Sequence, residues 1–208
     1  TSNSSSASLS DDQSTPKFSI LSKAQNISMD IILYHSPGAC SMAPFISLLQ
    51  AEAEFKVEIV SLRNNEQMSE EYAALNPKKK VPYLSVDGRG LTENVAIQSW
   101  IAQTFPKANI LPTDSWDYVR AISYMGWFGS GMHPHITRHF KTGKFCSVEE
   151  AEADIKSKAK AMLFEQFALV EQELEGRTWF FDHPTACDSY FLWVYERSLR
   201  EGFDLSEF

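Results

Sequence analysis

The sequence predicts a small mixed α/β domain followed by an all-helical one. Three observations carry this reading. Between Met29 and Phe105 the element signals run β-α-β-α-β-β-α. A proline-bounded stretch from Pro106 to Thr113 then reads as a linker. Beyond it strand signals stop and apolar residues recur only at helical spacing.

Taken in order, Asp30–Tyr34 is a short β-rich run closed by Ser36-Pro37-Gly38. Ser41, Phe45, Leu48 and Leu49 then recur at helical spacing, so a helix opens near Cys40. Phe55–Leu62 alternates as a second strand, and Ser69–Leu75 is a short helix ended by Asn76-Pro77. Val81–Val86 and Gly90–Thr92 form a hairpin turning at Asp87-Gly88. Asn94–Phe105 is a helix with Ile97, Trp100 and Ile101 on one face. Trp116–Phe140 is a long helical stretch interrupted near Pro134. Ser147 with Glu150 reads as a capping box opening a helix that runs to about Glu175 and stops at Gly176. Its expected inner face is Ile155, Ala159, Met162, Leu163, Gln166 and Val170. Thr185 with Asp188 opens a last helix, Ala186–Leu199. Residues 1–28 contain ten serines and only short apolar patches, and read as a flexible leader.

Composition narrows the function classes. The chain has 208 residues, 43% of them apolar, and no apolar run long enough to be a membrane helix. A net charge of −8 argues against a broad nucleic-acid surface and leaves room for a small anionic ligand. Cys40, Cys146 and Cys187 form no close-spaced pair, which suits free thiols in a reducing compartment, hence a cytoplasmic protein.

Three segments could carry chemistry. Cys40 sits at a helix start, where unsatisfied N–H groups and the dipole favour a thiolate. Acidity alone would gain only about three-fold in reactivity, so positioning matters more; the bland alternative is a buried inert cysteine. Val81-Pro82 is a candidate cis bond, which would turn the Val81 backbone N–H and C=O outward to pair with an extended peptide. Thr92-Glu93-Asn94 lies at a strand-to-helix junction. Donors there can hold a carboxylate and the Glu93 side chain an ammonium, although ordinary helix capping explains the same residues. His133, His135 and His139 form a rival metal cluster, but Pro134 breaks the helix between them and no carboxylate is near, so no metal is expected.

Together these segments resemble the glutathione transferases, with the bacterial beta class the nearest match. Pro37-Gly38-Ala39-Cys40-Ser41 is similar to that class's signature around its special cysteine. Asn76-Pro77, Val81-Pro82-Tyr83-Leu84 and Leu91-Thr92-Glu93 with Val95-Ala96-Ile97 match further motifs. Thr185-Ala186-Cys187-Asp188 resembles the capping box of the helical domain. The resemblance implies an α/β thioredoxin-like N-terminal domain (βαβαββα) over 29–106, followed by an all-α C-terminal domain over 114–208 that lacks the family's last helical segment.

It also implies glutathione as co-substrate. Val81 beside a cis Pro82 would pair with the tripeptide backbone, Glu93 and Asn94 would grip its γ-glutamyl end, and Tyr34 would close the first strand beside it. Cys40 with Ser41 would face the sulfur, and His133 would reach the same region from the helical domain. The implied partners are glutathione and a small hydrophobic electrophile lying against Tyr124, Trp127, Phe128 and Met132, in a homodimer that binds neither nucleic acid nor membrane. Alternatives on the same scaffold are a thiol transferase led by Cys40 and a non-catalytic glutathione-binding or regulatory protein. The sequence departs from the class at Asn65, Lys79, Asn94 and Gly126.

Overall fold

A computed structural model of the chain describes Thr1 and residues 29–208; the expected leader lies, but for Thr1, outside the described residues. Four strands, β1 (Ile31–His35), β2 (Lys56–Ile59), β3 (Tyr83–Val86) and β4 (Arg89–Thr92), form one sheet in the order β2-β1-β3-β4. β1 and β2 are parallel, and the other two pairs are antiparallel. Three helices accompany the sheet: α1 (Met42–Gln50), α2 (Glu70–Leu75) and α3 (Asn94–Thr104). The βαβαββα order is as expected.

Alternation along β1 sends Ile31 and Leu33 to one face, where they pack with Leu48 of α1, Leu84, and Ile97 and Ile101 of α3. Tyr34 points to the other face, into a cluster with Val60, Tyr72, Val81 and Tyr83. The Tyr83 ring lies across β4 so closely that a Cβ on Gly90 would come within 2.1 Å of its hydroxyl. Only glycine fits there.

The remaining helices are α4 (Ser115–Trp127), α5 (His133–Phe140), α6 (Glu152–Glu173) and α7 (Ala186–Arg200). Their core is built on Met125, Phe128, Met132, Ile136, Leu163, Phe167, Phe180 and Trp193, and it takes in Cys40 and Ala43. Helix α1 therefore has two buried faces: Leu48 meets the sheet and Ala43 meets the helical core. No helix among the described residues is long and apolar enough to cross a membrane.

Three local expectations are corrected. The break in the long helical stretch is a π-helical turn at Phe128–Met132, and Pro134 simply occupies the first turn of α5, where its missing N–H costs nothing. The Ser147 capping box does not form: α6 begins at Glu152, behind a 3-10 turn at Glu149–Ala151, with no side-chain cap. On α6 it is Phe167, with Ala159, Leu163 and Val170, that is buried, while Met162 is 50% exposed.

The second capping box does form. The Thr185 side chain accepts from Cys187 N, and Asp188 accepts from the Thr185 backbone N–H at 2.7 Å and from Phe180 N at 3.1 Å. Asp188 thus ties the 176–185 loop to the start of α7. Replacing Asp188 with alanine should cost about 2 kcal/mol, read from urea unfolding, since a charge-assisted cap and a loop contact go together.

Candidate functional site

The β1–α1 turn sets the site. Gly38 adopts φ +76, a left-handed conformation that favours glycine, and the chain then turns into α1 through Cys40 and Ser41. Ser41 is fully buried and faces inward: its hydroxyl lies 2.8 Å from His35 Nδ1, and it accepts from Ser36 N at 3.1 Å. It fastens the turn to β1.

Cys40 is 8% exposed, and its thiol donates to the Val81 carbonyl at 3.4 Å. Burial pushes the thiol up to about 12, against an opposing hydrogen bond from the Asn94 side chain. Desolvation at Cys40 thus opposes the helix dipole that favours its thiolate. The Val81-Pro82 bond is cis. The carbonyl of Lys80, just before it, is pinned by the Tyr72 hydroxyl at 2.6 Å and the Asn76 amide at 2.7 Å. Tyr34 packs edge-on against Tyr72 and Tyr83, beneath Val81.

Glu93 opens α3 with φ +71, and its exposed carboxylate pairs with Lys78 Nζ at 2.6 Å. The same ammonium donates to Thr92 Oγ1 at 2.9 Å. Asn94 is 7% exposed and keeps a buried Oδ1 without a partner. A buried unpaired acceptor is costly, so Asn94 is a polar group awaiting a donor.

From the helical side, the His133 ring packs edge-on against Trp193 at 4.4 Å, and the Trp193 indole donates to Gly38 O at 3.1 Å. Burial, followed by the positive charges of Lys80 and Arg197, holds His133 down to about 4, so its imidazole is neutral. The structure thus sets Cys40 against Val81 beside the cis Pro82, with Glu93 and Asn94 at the start of α3 and His133 meeting Trp193, which reaches the β1–α1 turn; Tyr34 packs with Val81 and Ser41 is buried in the turn.

The expected co-substrate surface is corrected. Phe128 and Met132 are fully buried. The Trp127 indole is tied to Gln166 at 2.8 Å. Tyr124 packs on Phe180 and Phe181 and hydrogen-bonds to Arg120 and Glu173. Arg120, Phe180 and Phe181 line a separate cleft of about 770 Å³ that shares no residue with the Cys40 site. Sequence reasoning missed Lys78, Tyr190 and Trp193. The helical period of Ala186, Tyr190, Trp193 and Val194 marks the latter two as inward-facing, but not toward what.

Residues 29–103 match the family model for the glutathione S-transferase N-terminal domain. Over 83% of this chain and 87% of its own length, the Escherichia coli O157:H7 glutathione S-transferase GstA is 28% identical. Residues 29–103 are thus a glutathione S-transferase N-terminal domain. A solved sphingomonad glutathione S-transferase complexed with glutathione superposes on this chain with a TM-score of 0.74 at 29% identity, covering 85% of this chain and 86% of that one. A Ralstonia sp maleylpyruvate isomerase is 27% identical over 72% of this chain and 73% of its own. Among the described residues, no group of three metal-ligating side chains comes together.

Proposed function

We propose that the chain is a glutathione-dependent transferase. Its thioredoxin-like unit, residues 29–106, would hold the tripeptide, and its helical unit, 114–208, would close the co-substrate side. The observation that carries this reading is the grouping of polar residues about the cis Val81-Pro82 bond. The Glu93–Lys78 pair stands at one end, Val81 lies along the edge, and the Cys40 thiol lies 3.4 Å from the Val81 carbonyl.

Each group meets a part of glutathione. The γ-glutamyl end is a zwitterion, so its ammonium goes to Glu93 and its carboxylate to Lys78 and Thr92, which replaces an exposed ion pair with two charge-assisted bonds. The Val81 backbone pairs with the cysteinyl backbone as a short extra strand. The glutathione sulfur then comes beside Cys40. In the complex the Cys40 S–H would turn from the Val81 carbonyl to that sulfur, favour its thiolate and so activate it as the nucleophile. A thiol held up to about 12 is a poor attacker of disulfides, which favours transfer by glutathione over disulfide exchange led by Cys40. The relatives named as isomerases fit the same machinery, because a thiolate that adds reversibly to an activated double bond also permits rotation about it.

A thermal melt across a glutathione series tests the reading. Stabilisation should grow as RT ln(1 + [L]/Kd), about 2.7 kcal/mol at 100 Kd, or about 5–10 °C for a chain of this size. A melting temperature indifferent to glutathione would sink it.

A further inference from the structure

A short run of chain joins the two main cores. Ile110 is buried in the sheet-side core, and its neighbour Leu111 is buried in the helical core. The backbone of this run is held from the helical side at two points. Ile110 O accepts from the N–H of Ala186, the first residue of α7, at 2.8 Å. Asn109, left-handed at φ +50, presents its carbonyl to His183, whose Nε2 lies 2.8 Å from it.

The other ring nitrogen of His183, Nδ1, meets the Asp182 carboxylate. Neither partner can donate. A carbonyl oxygen and an ionised carboxylate only accept, and a neutral imidazole has a single N–H to give. The two contacts are therefore hydrogen bonds together only when both ring nitrogens carry a proton. Histidine is the side chain whose ordinary pKa lets that proton come and go near neutrality.

The charges around the ring favour the protonated form. Its own loop supplies Asp182 and Arg177, α4 supplies Asp114, Asp117 and Arg120, and α7 supplies Asp188. Both cations are already engaged: Arg120 pairs with Asp117 at 3.0 Å and Glu173 at 3.4 Å, and Arg177 with Glu173 at 2.7 Å. Burial pulls the His183 pKa down, but the bonds to Asp182 and Asn109, with the charges of Asp182 and Asp188, outweigh it and leave it raised above 6.5.

We infer that His183 is a proton-operated clamp on the joint between the two cores: its imidazolium holds the Asn109 carbonyl and the Asp182 carboxylate at once, and loss of the proton to solvent releases one of them. The inference does not depend on the reaction the chain performs. In the neutral ring one nitrogen turns a lone pair toward an acceptor, either the carboxylate or the carbonyl, and that contact opens. Because the folded pKa is the higher one, the clamp is whole below pH 6.5 and is lost as the pH climbs through the folded value.

Two measurements on the full chain test this. Followed by NMR, the His183 ring should titrate above 6.5 and carry protons on both nitrogens at lower pH. Hydrogen exchange then reads the joint at the Ala186 amide, whose bond to Ile110 lies beside the clamp. Its protection factor, corrected for the pH dependence of intrinsic exchange, should fall about five-fold between pH 6 and pH 8.5, the scale of a partly exposed charged contact. Asp182→Asn should keep the protection level over the same range, because the neutral ring then donates from Nε2 to Asn109 and accepts at Nδ1 from the new amide. The Asp182 side chain is 91% exposed, so that variant folds. His183→Gln, with no ring to titrate, should be level as well. A wild-type protection factor that stays level, or one that falls equally in both variants, overturns the inference. So does a His183 ring that titrates at or below 6.5.

Discussion

Replacing Glu93 with glutamine should weaken glutathione binding about 30-fold and leave the ligand-free melting temperature within about 2 °C of the wild type. In the free protein the Glu93–Lys78 pair is open to water, with side chains 67% and 55% exposed, and such a pair contributes little to stability. In the complex the same carboxylate meets an ammonium under cover of the tripeptide. A hydrogen bond to a charged group is then worth about 1.5–3 kcal/mol, and 30-fold corresponds to about 2 kcal/mol. Glutamine keeps the size of the side chain and tolerates the φ of +71 as well as glutamate does, so the change isolates charge. Lys78→Met should weaken binding by a smaller factor. The double variant should lose less than the product of the two, because one zwitterion couples them. A change below three-fold in Glu93→Gln would mean that the γ-glutamyl end lies elsewhere.

What the sequence disclosed and what it hid divide along a physical line. The β-α-β-α-β-β-α order rests on alternation and helical period, which are local, and it appears in the structure element by element. The Thr185–Asp188 box is equally local, four residues whose side chains satisfy one helix start. Ser147 with Glu150 has the same spacing, yet a 3-10 turn takes its place, so spacing alone does not ensure a cap. At the break between α4 and α5, Pro134 drew attention, but Gly129 and Gly131 sit in the π turn itself. A Cβ on Gly131 would come within 2.7 Å of the Trp127 ring, a contact no window on the sequence displays.

The site shows the same division. The order of Cys40, Val81-Pro82 and Glu93-Asn94 could be read from the chain because each sits at the end of an element. Their electrostatics could not. A helix start lowers a thiol pKa and burial raises it, and Cys40 is buried in the helical core with Tyr190 and Trp193, residues some 150 positions away, Trp193 reaching Gly38.

The same buried groups should give the ligand-free protein a stability that falls on both sides of neutrality, for opposite reasons. His133 is held from its ordinary 6.5 down to about 4. Between those values the unfolded chain binds a proton that the folded one refuses, so stability declines as pH falls below about 6.5. Cys40 and Cys187 are each pushed by burial from 9.0 up to about 12. Between those values the folded chain keeps protons that the unfolded one releases, so stability declines as pH rises, by at most about 1.4 kcal/mol per pH unit for each thiol. Tyr190, also raised by burial, adds to the loss above pH 10. Urea unfolding at pH 5, 7.5 and 10 reads both limbs. Cys187→Ala separates the thiol contribution from the rest: its sulfur donates only to Ala121 O at 3.4 Å, so the substitution should cost about 1 kcal/mol at pH 7.5. Above pH 9, however, it should make the alkaline limb visibly shallower. An alkaline limb of unchanged slope in that variant would show that Cys187 ionises as readily in the folded chain as in the unfolded one, and the same desolvation argument would then no longer hold Cys40 neutral beside the glutathione sulfur.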